Sequence, residues 1–221
     1  FKQLNNQKDQ TILEKIKIIT KDDSGHIRLT VAGVLLCTIQ PTKFLPNAMI
    51  EAVCYSGNTK DSNYQIDAQI FNKNIDTQIF DAIHFIKKNM NISATKSPGR
   101  IDKPRFDLRA CFEAIVNAVA HRDYSIQGSK IRLFVFNDRL EIYSPGAIPN
   151  TMTIESLALR QSTRNELISS LLAQIKLPLE NNTFSRMTIM DKRGEGVPII
   201  YSESEKLSGK KPEYKIIDDS E

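Results

Sequence analysis

The predicted fold depends on an amphipathic helix, whose pattern is present in Arg109-Ala-Cys-Phe-Glu113-Ala-Ile-Val-Asn117-Ala-Val-Ala-His121-Arg-Asp-Tyr-Ser125. Asp107 has the residue type of an N-cap, so we predict a helix from there through Ala120. Four apolar positions share one side of the helical wheel, and we expect them to pack on a sheet. They are Phe112, Ile115, Val116 and Val119.

The opposite side of this helix carries a polar ridge. Glu113, Asn117 and His121 recur every fourth residue, which places successive side chains roughly 6 Å apart along one edge. A carboxylate can orient a water, an amide oxygen can bind a divalent cation, and an imidazole can donate to phosphate. Spacing alone leaves the alternative of a solvated polar face open.

A β-hairpin is predicted after the helix. Lys130–Phe136 and Arg139–Tyr143 alternate around Asn137-Asp138, two residue types that tolerate the positive φ of a tight turn. The sequence from Ser144 to Pro149 then breaks the sheet. One face of the hairpin is expected to be buried, and it consists of Ile131, Leu133, Val135, Leu140 and Ile142.

The residues before the ridge helix predict a smaller α/β unit. Its expected elements are a helical stripe over Thr11–Ile19, a short helix capped by Thr30 and stopped by Pro41, and a strand over Met49–Tyr55. A polar loop over Asp61–Asn74 and a helix over Asp76–Lys88 follow. The isoleucines that define this last helix are Ile75, Ile79, Ile83 and Ile86.

The residues after the hairpin complete an α+β pattern. We predict helices over Ile154–Leu159 and Glu166–Ile175, a short strand within Asn181–Lys192, a helix after Gly196 and a terminal strand near Tyr214–Ile217. Two prolines and a glycine between Asn91 and Pro104 indicate a linker. The expected domains are therefore residues 1–95 and 105–221.

Composition limits the class of protein. The 221 residues carry a formal net charge of +4, with basic and acidic residues interspersed, which does not identify a nucleic-acid binder. Cys37, Cys54 and Cys111 lack paired spacing, so we interpret them as reduced core residues. No apolar run approaches the roughly 18 residues of a membrane span, and no charged-then-apolar leader opens the chain. We therefore expect a cytoplasmic protein without a membrane partner.

The segment Glu113–Ser125, followed by Glu141-Ile-Tyr-Ser-Pro-Gly146, resembles the HATPase-like C-terminal domain of RecG-related helicases and AlbA/Schlafen-type bacterial transcriptional regulators. That domain belongs to the GHKL superfamily of gyrase, histidine kinases and MutL, with its Bergerat-type ATP site. The likeness spans roughly residues 28 to 217, and it includes Leu29–Leu36, Arg164-Asn165 and Arg193-Gly-Glu-Gly196. It implies a GHKL-like α/β sandwich, a mixed sheet with helices on one face, preceded by the smaller α/β unit.

The resemblance also implies a site for ATP and Mg²⁺. Asn117 corresponds to the superfamily asparagine that coordinates Mg²⁺, and Glu113 to the carboxylate that activates water in the members that hydrolyse ATP. His121 lies on the same ridge, where its imidazole can donate a hydrogen bond to phosphate. Ser144 and Gly146 stand where the adenine-reading Asp and its glycine lie. Gly194 and Gly196 stand where the second glycine box approaches phosphate, although a plain helix-entry turn is an alternative.

Two positions depart from the superfamily pattern. Ser144 replaces the adenine-binding carboxylate, and a hydroxyl accepts hydrogen bonds more weakly than an anion. Glu195 lies between the two glycines and adds a negative charge near the expected phosphates.

Three functions follow from these patterns. The first is a module of a bacterial transcriptional regulator that senses a nucleotide, or that keeps the fold without the ligand. The second is an ATPase with Glu113 as the base, and the third is a scaffold for dimerisation. Gly209-Lys-Lys lacks the first glycine and the hydroxyl residue of a P-loop, so no motor motif supports helicase activity.

We expect DNA contact to belong to an AlbA-like domain upstream of Phe1 rather than to these 221 residues, which show no clustered basic surface. A homodimer is a further open alternative.

Overall fold

The computed structural model describes residues 6–92, 104–148, 152–160, 162–177, 187–191 and 194–217. Within these ranges no helix has the length and apolarity needed to cross a membrane. The helices are α1 (Asn6–Lys15), α2 (Val31–Cys37), α3 (Ile75–Ile92), α4 (Leu108–His121), α5 (Glu166–Leu172) and α6 (Gly196–Ser208). The strands are β1 (Ile19–Lys21), β2 (Ile27–Leu29), β3 (Ile50–Tyr55), β4 (Gln65–Phe71), β5 (Ile131–Val135) and β6 (Leu140–Tyr143).

A four-stranded mixed sheet organises the fold, in the order β4-β3-β5-β6. β3 and β5 run parallel, with Ile50 beside Ile131, and the two outer pairs are antiparallel. β1 and β2 form a separate antiparallel hairpin. The predicted α+β class and mixed sheet are thus confirmed.

Helices α3 and α4 cover one face of this sheet. The four predicted isoleucines of α3 are buried, as are the four apolar positions predicted on α4. Asp107 caps α4 as predicted, since its carboxylate accepts a hydrogen bond from the Ala110 amide at 2.8 Å. These helices share one apolar core with β3, β5, α5 and Ile189.

The opposite face of the sheet carries an aromatic cluster formed by Val53, Tyr55, Phe134 and Phe136. Tyr55 and Phe136 stack with ring centroids 5.3 Å apart. Lys60 Nζ lies 4.2 Å from the centre of the Phe134 ring. Both faces of β5 are therefore buried, whereas the sequence predicted burial of only one. The β5–β6 turn at Asn137-Asp138 forms as expected, but neither residue has a positive φ.

The segment Asp61–Asn74 contains strand β4, so the prediction of a loop was wrong. Most residues of β4 are exposed because it lies at the edge of the sheet, and an edge strand needs little apolar surface. The stripe over Thr11–Ile19 also differs, since α1 ends at Lys15 and Lys17 has a φ of 57°. Ile19 then begins β1.

Four further predictions need correction or restriction. The terminal strand near Tyr214–Ile217 does not form; Tyr214 instead packs on Tyr201 of α6, with ring centroids 5.7 Å apart. Ile154–Ser156 is a short 3-10 helix, and α5 ends at Leu172. The strand expected within Asn181–Lys192 lies partly outside the described residues; Thr188 forms an isolated bridge with Lys176.

Cys54 and Cys111 are buried free thiols, as predicted. Cys37 is an exposed free thiol at the end of α2, so the prediction of a core residue was wrong there.

The proposed division into residues 1–95 and 105–221 stays a prediction. Its boundary falls mostly outside the described residues. The four-stranded sheet takes β3 and β4 from before that boundary and β5 and β6 from after it.

Candidate functional site

The polar ridge of α4 lies against the first turn of α6. Glu113 is buried, with 4% of its surface exposed, and Asn117 is half-buried. A β-carbon placed on Gly196 would lie 3.1 Å from Asn117 Nδ2, 3.4 Å from Asn117 Oδ1 and 3.4 Å from Glu113 Oε2. Gly196 therefore permits a contact that any side chain at this position would crowd.

The position of α6 provides a physical reason for a buried carboxylate at Glu113. The first backbone amides of a helix have no partner within the helix, and they carry partial positive charge. α6 begins at Gly196, next to the Glu113 carboxylate. Such amides can donate hydrogen bonds to a carboxylate, which offsets part of the cost of burying it.

The other two residues of the Gly194–Gly196 segment are exposed. Gly194 has a φ of 75°, in the left-handed region, and directs the chain into α6. Glu195 is the N-cap, but its side chain makes no capping hydrogen bond. The exposure of Glu195 removes its negative charge from the buried contact between Gly196 and Asn117.

Side chains that follow α4 in the chain bind the carbonyls of its last turn at Ala118, Val119 and Ala120. Ser144 Oγ donates to the Ala118 carbonyl at 2.9 Å, and Tyr124 Oη donates to the Val119 carbonyl at 3.0 Å. Asn165 Nδ2 donates to the carbonyls of Ala120 and Arg122. The helix terminus is thus fixed to the end of β6 and to α5.

Ser144 has a structural task that the sequence did not indicate. Because its proton goes to the Ala118 carbonyl, its oxygen keeps only acceptor capacity toward other groups. An acceptor is what the amino group of adenine requires, so this orientation fits the predicted base-reading role. The alternative, a pure helix-capping role, fits the same hydrogen bond.

Gly146 lies directly against Asp123. It has a φ of 115°, and a β-carbon here would lie 2.7 Å from the Asp123 β-carbon. The Asp123 amide donates to the Pro145 carbonyl at 2.8 Å. Arg164 pairs with the Asp123 carboxylate at 3.0 Å and also donates to the Ala147 carbonyl. A compact polar cluster thus holds the segment after β6 against the end of α4.

His121 is half-buried beside this cluster. Burial, reinforced by the positive charge of Arg164, lowers the pKa of the imidazole from its ordinary value of 6.5. A neutral imidazole can still donate one hydrogen bond to phosphate. It supplies less attraction than the imidazolium would.

The structure therefore brings the predicted residues into two groups along α4. Glu113, Asn117 and Gly196 meet at the middle turns of α4, and Ser144, Gly146 and His121 lie near its C-terminal end. Gly194 is exposed ahead of α6. Within the described part of the chain, no group of three or more His, Cys, Asp or Glu side chains is arranged to hold a metal ion.

The first group fits Mg-ATP by its donor set. An amide oxygen and a carboxylate lie beside a glycine whose missing side chain leaves room for backbone approach. Asn117 would hold Mg²⁺ together with phosphate oxygens, and the bound ion would neutralise phosphate charge. The adenine end fits less well, because Ser144 offers a hydroxyl in place of a carboxylate.

Arg164 and Asn165 have structural partners that the sequence did not indicate. The motif Arg164-Asn165 was visible, but its partners lie 17 to 45 positions away along the chain. Arg122 ties the end of α4 to the loop that follows it. Arg122 is 1% exposed and donates to the carbonyls of Asn47 and Ser129.

A family model matches the C-terminal part of the chain. Residues 128–220 match an HATPase-type family model described as "Putative ATP-dependent DNA helicase recG C-terminal". The predicted resemblance to an HATPase-like C-terminal domain is thereby confirmed. The matched region contains Ser144, Gly146, Gly194 and Gly196, and it begins after the ridge of α4. No curated protein matches the sequence.

Among solved structures, the DIP2311 protein from Corynebacterium diphtheriae has a similar fold, with a TM-score of 0.56 at 20% sequence identity. The similarity covers 90% of this chain and 35% of that chain, so this chain spans about a third of the solved one. At this identity the likeness supports the fold alone.

Proposed function

We propose that this chain is a nucleotide-sensing module of a bacterial transcriptional regulator, and that it binds ATP or a related nucleotide with Mg²⁺. The contact of Gly196 with Asn117 and Glu113 carries this proposal. It brings together residues about 80 positions apart in the sequence. They supply oxygen ligands of the kind that Mg²⁺ requires and helix amides of the kind that bind phosphate. The family match over residues 128–220 supports an ATPase-like module.

The first turn of α6 borders the predicted site. A β-carbon on Gly196 would lie 3.4 Å from Asn117 Oδ1, the oxygen that would bind Mg²⁺ beside the phosphates. A sensing role suits such a site, because ligand binding is then linked to the position of α6.

Turnover is the second candidate, because Glu113 lies next to Asn117 and has the chemistry of a base for water. Glu113 is 4% exposed, which keeps water away from the carboxylate, and little hydrolysis is expected. Nucleotide binding is therefore the first proposed function, hydrolysis the second and a nucleotide-free scaffold the third.

Isothermal titration with ATP and Mg²⁺, run beside a phosphate-release assay, tests this order. Wild type should bind and release little phosphate. Asn117→Ala should abolish measurable binding because it removes the oxygen ligand. Glu113→Gln should keep binding and stop any hydrolysis. Lys87→Ala, an exposed change on α3, is the control.

Circular dichroism melts of each variant separate loss of ligand contacts from loss of structure, because both residues touch α6. Equal loss of binding from both substitutions, with the fold intact, would mean that Glu113 is structural. A folded wild type that binds no nucleotide would overturn the proposal and favour the scaffold.

A further inference from the structure

Strand β4 forms one edge of the main sheet and presents apolar side chains to solvent. Ile66 is 52% exposed and Ile70 is 56% exposed. Edge strands of natural proteins often carry lysine or proline on the exposed face, which discourages pairing with another chain. The residues of β4 on this exposed face are Ile66, Ala68 and Ile70, and all are uncharged.

The two faces of β4 have separate roles. Ala68 and Ile70 stand beside Val53 and Glu51 of β3, on the face of the sheet away from α3 and α4. Asp67 lies on the helix side, where its carboxylate accepts hydrogen bonds from Lys88 at 2.9 Å and Asn89 at 3.1 Å. The only charge on the strand is thus already neutralised within the chain.

The sequence Ile66-Asp67-Ala68-Gln69-Ile70 is nearly the same in both directions. We propose that β4 pairs antiparallel with β4 of a second copy, with the two-fold axis at Ala68. In this register Ile66 faces Ile70 of the second copy on one side of the sheet, and Asp67 faces the uncharged Gln69 of the second copy on the other. No like charges oppose each other, and a two-fold contact uses the same surface on both copies.

The regular part of β4 is long enough for this pairing. Asp67 to Phe71 pairs in unbroken register with Cys54 to Ile50, and the register shift occurs beyond Cys54. Ile66 lies at that irregular end and remains exposed. The dimer would join two four-stranded sheets into one sheet of about eight strands, a size that twisted open sheets tolerate.

Sedimentation velocity over a range of protein concentrations tests the interface in the full 221-residue chain. Wild type should form dimers, and Ile70→Lys should raise the dimer Kd by about tenfold or more, because it places a lysine in each Ile66–Ile70 contact. Ile39→Lys is the matched control, since Ile39 is 88% exposed and lies outside β4. A monomeric wild type, or equal weakening by both substitutions, would overturn the proposal.

Disulfide trapping tests the register independently. In a Cys37→Ser background, Ala68→Cys should form a covalent dimer on mild oxidation, because the two copies of residue 68 lie opposite each other. Gln65→Cys should not, since its two copies would lie six residues apart, about 20 Å along the strands. Efficient trapping at position 65 instead of 68 would show that the register is wrong.

Discussion

Gly146 has both a backbone conformation and a close neighbour that require a glycine. Its φ of 115° belongs to a region that side-chain-bearing residues rarely adopt, and its neighbour Asp123 leaves no room for a β-carbon. The glycine thus serves the fold as well as the predicted adenine site.

We expect Gly146→Ala to lower the free energy of unfolding by about 2 kcal/mol or more, through backbone strain and the clash with Asp123. In a domain of this size that is a fall in Tm of roughly 4–8 °C. Gly128→Ala is the control, because a β-carbon at Gly128 meets nothing within 4 Å. Equal stability of the two variants would show that the segment after β6 yields to the added methyl.

His121 gives the protein a pH response. Its pKa is lowered in the folded state, so below the ordinary value of 6.5 the unfolded chain binds more protons than the folded chain. The free energy of unfolding should therefore fall as the pH drops from 7.5 to 5.5. Urea midpoints at these two pH values, for wild type and His121→Gln, measure this contribution. A variant that keeps the full pH dependence would exclude His121 as the cause.

The elements differ in how they are anchored, and α4 is anchored at both ends. Asp107 caps its first turn, while side chains from three other segments bind its last carbonyls. Apolar packing on both the sheet side and the α6 side buries most of the turns between. A helix held in this way can keep Glu113, Asn117 and His121 at fixed spacing.

Asp107→Ala should cost about 1 kcal/mol of unfolding free energy, which is typical for loss of an N-cap acceptor. Asp107→Ser should recover most of this loss, because a serine oxygen accepts the same hydrogen bond. Chemical denaturation of the three proteins provides the comparison. If serine and alanine were equally destabilising, the capping bond at Ala110 would not be the source of the effect.

Elements with strong apolar periodicity were predictable from the sequence, and those defined by distant partners were not. α3, α4 and β5 follow from their buried isoleucines, leucines and valines. β4 was missed because an edge strand has a mostly solvated sequence. Tyr214 suggested a strand, but its ring found a partner on α6 instead.

In the candidate site, too, residues with a local pattern were predictable from the sequence, and contacts between distant residues were not. The ridge residues were predictable from helical spacing, whereas the position of Gly196 against them depends on how α6 packs on α4. The role of Ser144 depends on its hydrogen bond to Ala118, 26 positions earlier in the chain. No local pattern encodes either contact.

At the scale of the whole molecule, charge is balanced locally. The net charge is only +4, and several basic side chains are engaged in ion pairs. Examples are Lys88 with Asp67, Lys130 with Glu51, Arg139 with Glu141 and Arg164 with Asp123. These pairs reduce the positive charge that a phosphate backbone would encounter.

We therefore expect the 221-residue chain to lack useful affinity for duplex DNA. Fluorescence anisotropy with labelled duplex at about 150 mM salt measures this. Submicromolar, salt-sensitive binding would place the DNA contact within these residues.

The parallel pairing of β3 with β5 has a consequence for synthesis of the protein. Ile50 and Ile131 are neighbours in the sheet, yet about 80 residues of chain separate them. At translation rates of roughly 5–20 residues per second, β3 waits some 4–16 s for β5 to emerge. During that interval β3 has no partner on its β5 side. The nascent β3–β4 hairpin therefore has two open edges, whereas in the complete sheet only its β4 edge is open. Any chaperone that shields extended apolar segments would find its substrate in this short-lived state, before the ribosome has delivered the second half of the sheet.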